Sequence, residues 1–176
     1  MAYTIINPSD AGFMPIANTD SGVTQPNAAS ATPTPPMVLG MVVQAVDPTY
    51  GMGEFILLAG VASTTIGSVV TYNATTFTTA LAPIGANKPQ PVAIAMSANV
   101  ATTTWGWYQI SGMAVAKKTS GLALASNAAV GVLTAGLIAA TGTGKEVQGA
   151  LTAAKATTPK TVTLVINRPH MQGRIT

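Results

Sequence analysis

Trp105-Gly-Trp-Tyr-Gln-Ile-Ser-Gly-Met-Ala-Val115 carries both tryptophans of the chain. Trp, Tyr, Ile and Val favour strands because their bulk packs well on a pleated surface. Read straight through, the alternation of large and small side chains fails in the middle of the run. A bulge at Ser111–Gly112 restores it. Tyr108, Ile110, Met113 and Val115 then share one face, and Trp105, Trp107 and Gln109 share the other. A strand with large side chains on both faces is either central or meets another chain. The expectation is a core strand whose tryptophan face, through Trp105 and Trp107, meets a partner subunit. The competing reading is a pair of rings that stack on a ligand.

Other strands follow outward from this one. Just upstream, Pro91 to Ala98 sets Val92, Ile94 and Met96 on one face and Ala93 and Ala95 on the other. Met37 to Val46 is near-continuously apolar. Asp47-Pro-Thr-Tyr-Gly-Met-Gly53 then turns the chain into Glu54 to Val61, which predicts a hairpin. Ile66–Tyr72 and Thr78–Leu81 are shorter. Downstream, Lys117-Lys118 closes the tryptophan strand. Short apolar bursts follow at Gly121–Asn127, Val130–Leu133 and Gly136–Ala140. Their alanines suggest a helix, but Gly131, Gly136 and the lack of capping residues count against one. Val147–Ala153 and Thr161–Ile166 complete the set, and Asn167 to Arg174 reads as a polar basic tail. The pattern predicts an all-β chain. Its core candidates are Phe55, Leu57, Val92, Ile94, Met96, Ile110 and Leu164.

Residues 1–36 differ in kind. Thr32-Pro-Thr-Pro-Pro36 and earlier Asn, Ser, Asp and Gly clusters predict extended or turning chain, because proline fixes φ and lacks a donor. The expectation is an N-terminal arm outside the sheet, followed by a barrel domain over 37–176. Ile5, Ile6, Phe13, Met14 and Ile16 are apolar anchors that need a surface. That surface would belong to a neighbouring chain; the alternative is an unattached tail.

Composition narrows the function. Charged residues make up 7% of the 176, against about 25% in ordinary soluble domains. So sparse a charge leaves little protection against association, which predicts extensive cover by other chains. Residues 1–87 hold Asp10, Asp20, Asp47 and Glu54 without a base, and the other half holds all eight Lys and Arg against Glu146. The bases are scattered and lack interleaved aromatics, so no nucleic-acid partner is expected. The uncharged stretch Thr119–Gly144 is too broken by Ser, Asn, Thr and Gly for a membrane span. There is no cysteine, so thiolate metal sites and disulfides are excluded. Asp47 and Glu54 lack the third polar partner of a catalytic or calcium site. Ala139-Ala-Thr-Gly-Thr-Gly-Lys145 has Ala where a phosphate loop needs its first Gly, and Glu146 where it needs Ser or Thr. His170, the single histidine, has neither a metal-binding companion nor a nucleophile to activate. No enzyme, cofactor or metal is expected.

Val92-Ala-Ile-Ala-Met-Ser-Ala-Asn-Val100 and Trp105-Gly-Trp-Tyr-Gln-Ile-Ser-Gly112, with Glu54-Phe-Ile-Leu-Leu-Ala-Gly-Val61, Gly131-Val-Leu and Val147-Gln-Gly-Ala, resemble capsid decoration (cement) proteins of tailed bacteriophages. The resemblance spans roughly residues 37–167. It implies a small β-barrel or β-tulip-like subunit, usually a homotrimer, made in the host cytoplasm. Such a subunit sits on the outer surface of the virion capsid and clamps neighbouring major capsid proteins. The alternative is a carbohydrate-binding head-fibre or adhesin module, with Trp105, Trp107 and Tyr108 exposed for sugar stacking.

Overall fold

The tryptophan stretch forms a single 14-residue strand, Thr104–Lys117, and the rest of the sheet grows from its two edges. The computed structural model describes residues 4–5, 23–24, 35, 37–156 and 160–173. In chain order the strands are β1 (Thr4–Ile5), β2 (Val23–Thr24), β3 (Val42–Asp47), β4 (Gly51–Ala59), β5 (Val69–Tyr72), β6 (Thr79–Leu81), β7 (Val92–Ala95), β8 (Thr104–Lys117), β9 (Ala129–Thr134), β10 (Leu137–Ala140), β11 (Glu146–Thr152) and β12 (Thr161–Met171). No helix occurs among the described residues, and the fold is all-β.

On one edge β8 pairs with β4, and β4 with β3. On the other edge β8 pairs in succession with β2, β7 and β12. β7 leads on to β5 and β6, and β12 to β11, β9 and β10. Both wings curl. The first returns to the end of β4, where Ala59 N donates to Phe77 O at 3.0 Å and Thr79 Oγ1 to Ala59 O at 2.7 Å. The second returns to the end of β8 through a Lys118–Ile138 bridge, with Thr119 N donating to Ile138 O at 2.9 Å. The result is a curled half-barrel sheet, consistent with the small barrel expected.

The bulge lies where the sequence places it, within a residue. Glu54 pairs with Ser111 but Phe55 with Gln109, so Ile110 is one residue too many for β4. Gly112 follows with φ +94°, and a Cβ there would stand 2.3 Å from the Met52 carbonyl oxygen. The disturbed backbone is satisfied from within: the fully buried Gln109 donates Nε2–H to Ser111 O at 3.1 Å and to Met113 O at 2.9 Å. Residues opposite each other in a ladder share a face. Hence Trp105, Trp107 and Gln109 lie with Ala114 and Ala116, and Tyr108 and Ile110 lie with Ser111, Met113 and Val115.

Burial follows these two faces. The tryptophan face is covered throughout. One cluster packs Val43, Phe55, Leu57, Met96, Trp105 and Trp107; a larger one packs Ile94, Ala114, Ala116, Val130, Ile138 and Leu164 among others. The tyrosine face is buried only inside the first curl, around Ile56, Leu58, Val70, Ala93, Tyr108 and Ile110. All seven core candidates from the sequence are no more than 3% exposed.

Four expectations need correction. The first long strand begins at Val42, not Met37, because Gly40 turns there with φ +83°. The basic tail is strand as far as Met171, since pairing with Val147 and Gln148 overrides its polar composition. The arm also contributes to the sheet. Thr4 and Ile5 pair with Val46 and Ala45, and Val23 and Thr24 with Trp105 and Thr104, so at these two places it lies on its own chain. Gly121–Asn127 forms no strand.

Gly112 and Gly51 provide a controlled test of the bulge. Both have positive φ, but a Cβ at Gly51 meets nothing within 4 Å. Each Gly→Ala change carries the backbone strain of the left-handed region, about 1–3 kcal/mol; only Gly112→Ala adds a backbone collision. Urea unfolding should show Gly112→Ala as clearly the more destabilised of the two.

Candidate functional site

The structure redistributes the residues expected to contact a partner. Trp105 and Trp107 are 3% and 1% exposed. Their cover comes from Met96 and the half-buried Met37, Leu39, Met41 and Tyr50 of the same chain, not from another subunit. With Tyr108 fully buried as well, these three rings offer no platform for a sugar. Ile5 lies in β1 opposite Ala45; Ile6, Phe13, Met14 and Ile16 lie outside the described residues.

The polar candidates resolve into structural parts. Asp47 is buried and its Oδ1 accepts from Thr49 N at 2.7 Å and Tyr50 N at 2.9 Å, which caps the β3–β4 turn. Glu54 turns away from it to Arg168, with 3.0 Å between carboxylate and guanidinium. Gly142 to Lys145 is the tight turn before β11, closed by Lys145 N donating to Gly142 O at 2.9 Å. His170 is exposed, though in a strand opposite Gln148 rather than in a tail. Two of the lysines point their charge inward: Lys117 Nζ donates to Thr65 Oγ1 at 2.5 Å, and the buried Lys118 to Leu122 O at 2.6 Å. Among the described residues no three His, Cys, Asp or Glu come together, and no helix is long and apolar enough to cross a membrane.

What the strands leave uncovered is the tyrosine face beyond the bulge. Met113, Val165, Leu151 and Ala129 stand opposite one another in turn across β8, β12, β11 and β9. On the same face Val46 and Met52 form an outward pair across β3 and β4. Met52 is 58% exposed, Val165 42%, and Val46 and Leu151 39% each. Between the two groups lies Glu54, neutralised by Arg168. The face carries two hollows. One, of about 200 Å³, lies at Met52, Gly53 and Ser111. The other, of about 440 Å³, lies at Ala129, Leu151 and Val165. Exposed apolar side chains gathered on one face are a usual feature of interaction surfaces, which makes this face the candidate site. Its sequence signal was legible: Val165 and Leu151 are large and apolar at the outward positions of strands whose inward positions are already apolar.

No protein-family model and no curated protein matches the sequence.

Tyr108 gives the buried side of this strand a pH signature. Asn99 Nδ2 donates to its hydroxyl at 3.3 Å. Burial pushes its pKa up to about 12, against the opposing hydrogen bonds of Asn99 and Thr79. Burial likewise raises Tyr72, partly offset by Arg168. Below pH 10 the Tyr108 phenol is neutral in both folded and unfolded chains. Between about pH 10 and 12 only the unfolded chain ionises, so stability falls as pH rises, by up to about 3 kcal/mol. Thermal melts across this window should show the loss, and Tyr108→Phe should flatten most of it. An equally steep decline in the variant would contradict the assignment.

Proposed function

We propose that the protein is a non-enzymatic virion structural protein, a decoration subunit that binds the outer surface of a phage capsid and stabilises it by clamping neighbouring major capsid proteins. One observation carries the reading: the apolar ladder from Ala129 to Met113, continued by Met52 and Val46, on a sheet whose Glu54 is already paired with Arg168. A sheet of paired strands loses little conformational freedom on docking, so the cost of binding is low for the area covered. The resemblance of the Val92–Gly112 region to capsid decoration proteins supports the same reading, as does a chain with 7% charged residues. The scarcity of charge favours a closed oligomer, since cyclic closure buries apolar surface without open-ended growth; the resemblance implies that this oligomer is a homotrimer. The attachment face proposed is the tyrosine face beyond the bulge, in place of the tryptophan face.

Cosedimentation with undecorated phage heads tests this. Val165→Asp and Met52→Asp each place a charge at an outward position and should leave the melting temperature nearly unchanged. Each should weaken head binding by roughly 30-fold, the order of a central interface residue worth about 2 kcal/mol. Wild-type affinity in both variants would remove this face from the function.

A further inference from the structure

The larger hollow on this face is made by a local failure of pairing around Gly149. On one side Gln148 pairs with His170 but Ala150 with Ile166, so Gly149 alone faces Asn167, Arg168 and Pro169. On the other side Glu146 pairs with Gly131 but Leu151 with Ala129, so Val147 to Ala150 face Val130 alone. β11 is thus out of step with both neighbours over a stretch that contains Gly149. Gly149 adopts φ +76°, and a Cβ there would stand 2.8 Å from the Asn167 carbonyl oxygen. Arg168, opposite, also takes a positive φ, +41°. Where a regular strand would raise a side chain, this one has none. A cleft of about 440 Å³ is left, with Ala129, Leu151 and Val165 as its apolar walls. Bulges of this kind are enriched beside functional sites, where they re-aim or remove a side chain.

Charge indicates what fits. Glu146 is the one ionisable residue lining the cleft. Its carboxylate makes no ion pair with a described residue; the ion pair found among them is Arg168–Glu54. Asn127 and Asn167 supply neutral polar groups at the rim.

We infer that the cleft between β9, β11 and β12 is a socket for one apolar side chain of the capsid partner, presented next to a lysine or arginine that pairs with Glu146. The inference rests on the attachment reading in taking the occupant to be a protein. It adds the chemistry of the contact: an aliphatic or aromatic knob that fills an apolar hollow, and a cation that answers the charge at its edge. Pockets that receive one anchoring side chain carry a disproportionate share of interface affinity.

Two measurements separate the socket from the face. In the first, ¹⁵N-labelled protein is titrated with acetyl-leucyl-arginine amide, acetyl-leucyl-glutamate amide and acetyl-seryl-arginine amide. The first peptide should give saturable shifts at the Gly149, Leu151 and Val165 amides, with an affinity several-fold above the other two. Shifts spread elsewhere, or the same for all three peptides, would overturn the socket whatever the heads do. In the second, Ala129→Phe fills the cleft from an exposed position and Glu146→Gln removes its charge, each checked by thermal melting for an intact fold. Head binding should fall at least 10-fold for Ala129→Phe. Glu146→Gln should lose several-fold and show a weaker dependence on salt. If both bind heads like the wild type while Val165→Asp does not, the face reading stands and the socket falls. If Val165→Asp binds normally, the attachment face is lost and the peptide titration alone decides the socket.

Discussion

One extra residue in the ladder between β8 and β4 governs which side chains this protein hides and which it presents. β8 is shared by two wings that bury opposite faces near it: the first curl encloses Tyr108 and Ile110, the second encloses Ala114 and Ala116. In an unbroken strand residues 108, 110, 114 and 116 would all project to one side. The second wing could then bury its alanines only by burying the tyrosine face along the whole strand. The bulge at Ile110 shifts the parity, so the alanines join the tryptophans and the larger Met113 and Val115 turn outward. The arrangement depends on Gly112, which alone tolerates the Met52 carbonyl so close, and on Gln109, whose amide bonds the carbonyls of Ser111 and Met113.

The division of apolar surface explains how a chain so poor in charge folds while keeping an apolar face in water. The small side chains Ala114, Ala116 and Ala150 let the second curl close tightly around Leu164 and Ile138. Interior volume is satisfied without Met113, Val165 and Leu151. Val165 and Leu151 stay 42% and 39% exposed, paired with each other across β12 and β11. Full burial of such a side chain by a partner is worth about 1.5–3 kcal/mol. A handful of them, already ordered, therefore provides useful affinity without any rearrangement of the fold.

Much of the fold was legible in the sequence because its signals are local. Strand alternation, the Asp47–Gly53 turn and the Ser111–Gly112 break are each visible within a dozen residues, and all have counterparts in the structure. What covers the tryptophans was not legible, because large aromatic rings look alike whether a partner or the chain itself covers them. Met37, Leu39 and Met41, which close over the tryptophans, read as strand in sequence but act as a covering segment once Gly40 turns the chain. The placement of Thr4–Ile5 and Val23–Thr24 on sheet edges was also hidden. Two-residue strands carry no periodicity, and the prolines and turn residues around them pointed away from any pairing. Glu54 and Arg168 are 114 residues apart, and only the neighbouring of β4, β8 and β12 brings them together to neutralise the exposed face.

Gly112 and Gly149 show the same defect resolved in two ways. Each is a glycine at positive φ beside a register shift, and each sits against a carbonyl oxygen of the adjacent strand. At Gly112 the chain closes the disturbance itself: Gln109, from the tryptophan face, binds the displaced carbonyls, and the neighbouring backbone packs against Met52 and Gly53. At Gly149 no large side chain fills the gap, although Leu151 and Val165 stand on either side of it with much of their surface uncovered. A bulge that serves only to bend a strand is best filled, since an open apolar hollow forfeits the dispersion contacts a packed one makes. At Gly149 the hollow keeps its apolar walls and a carboxylate, Glu146, that makes no ion pair with a described residue, and these are the features on which the proposed socket rests.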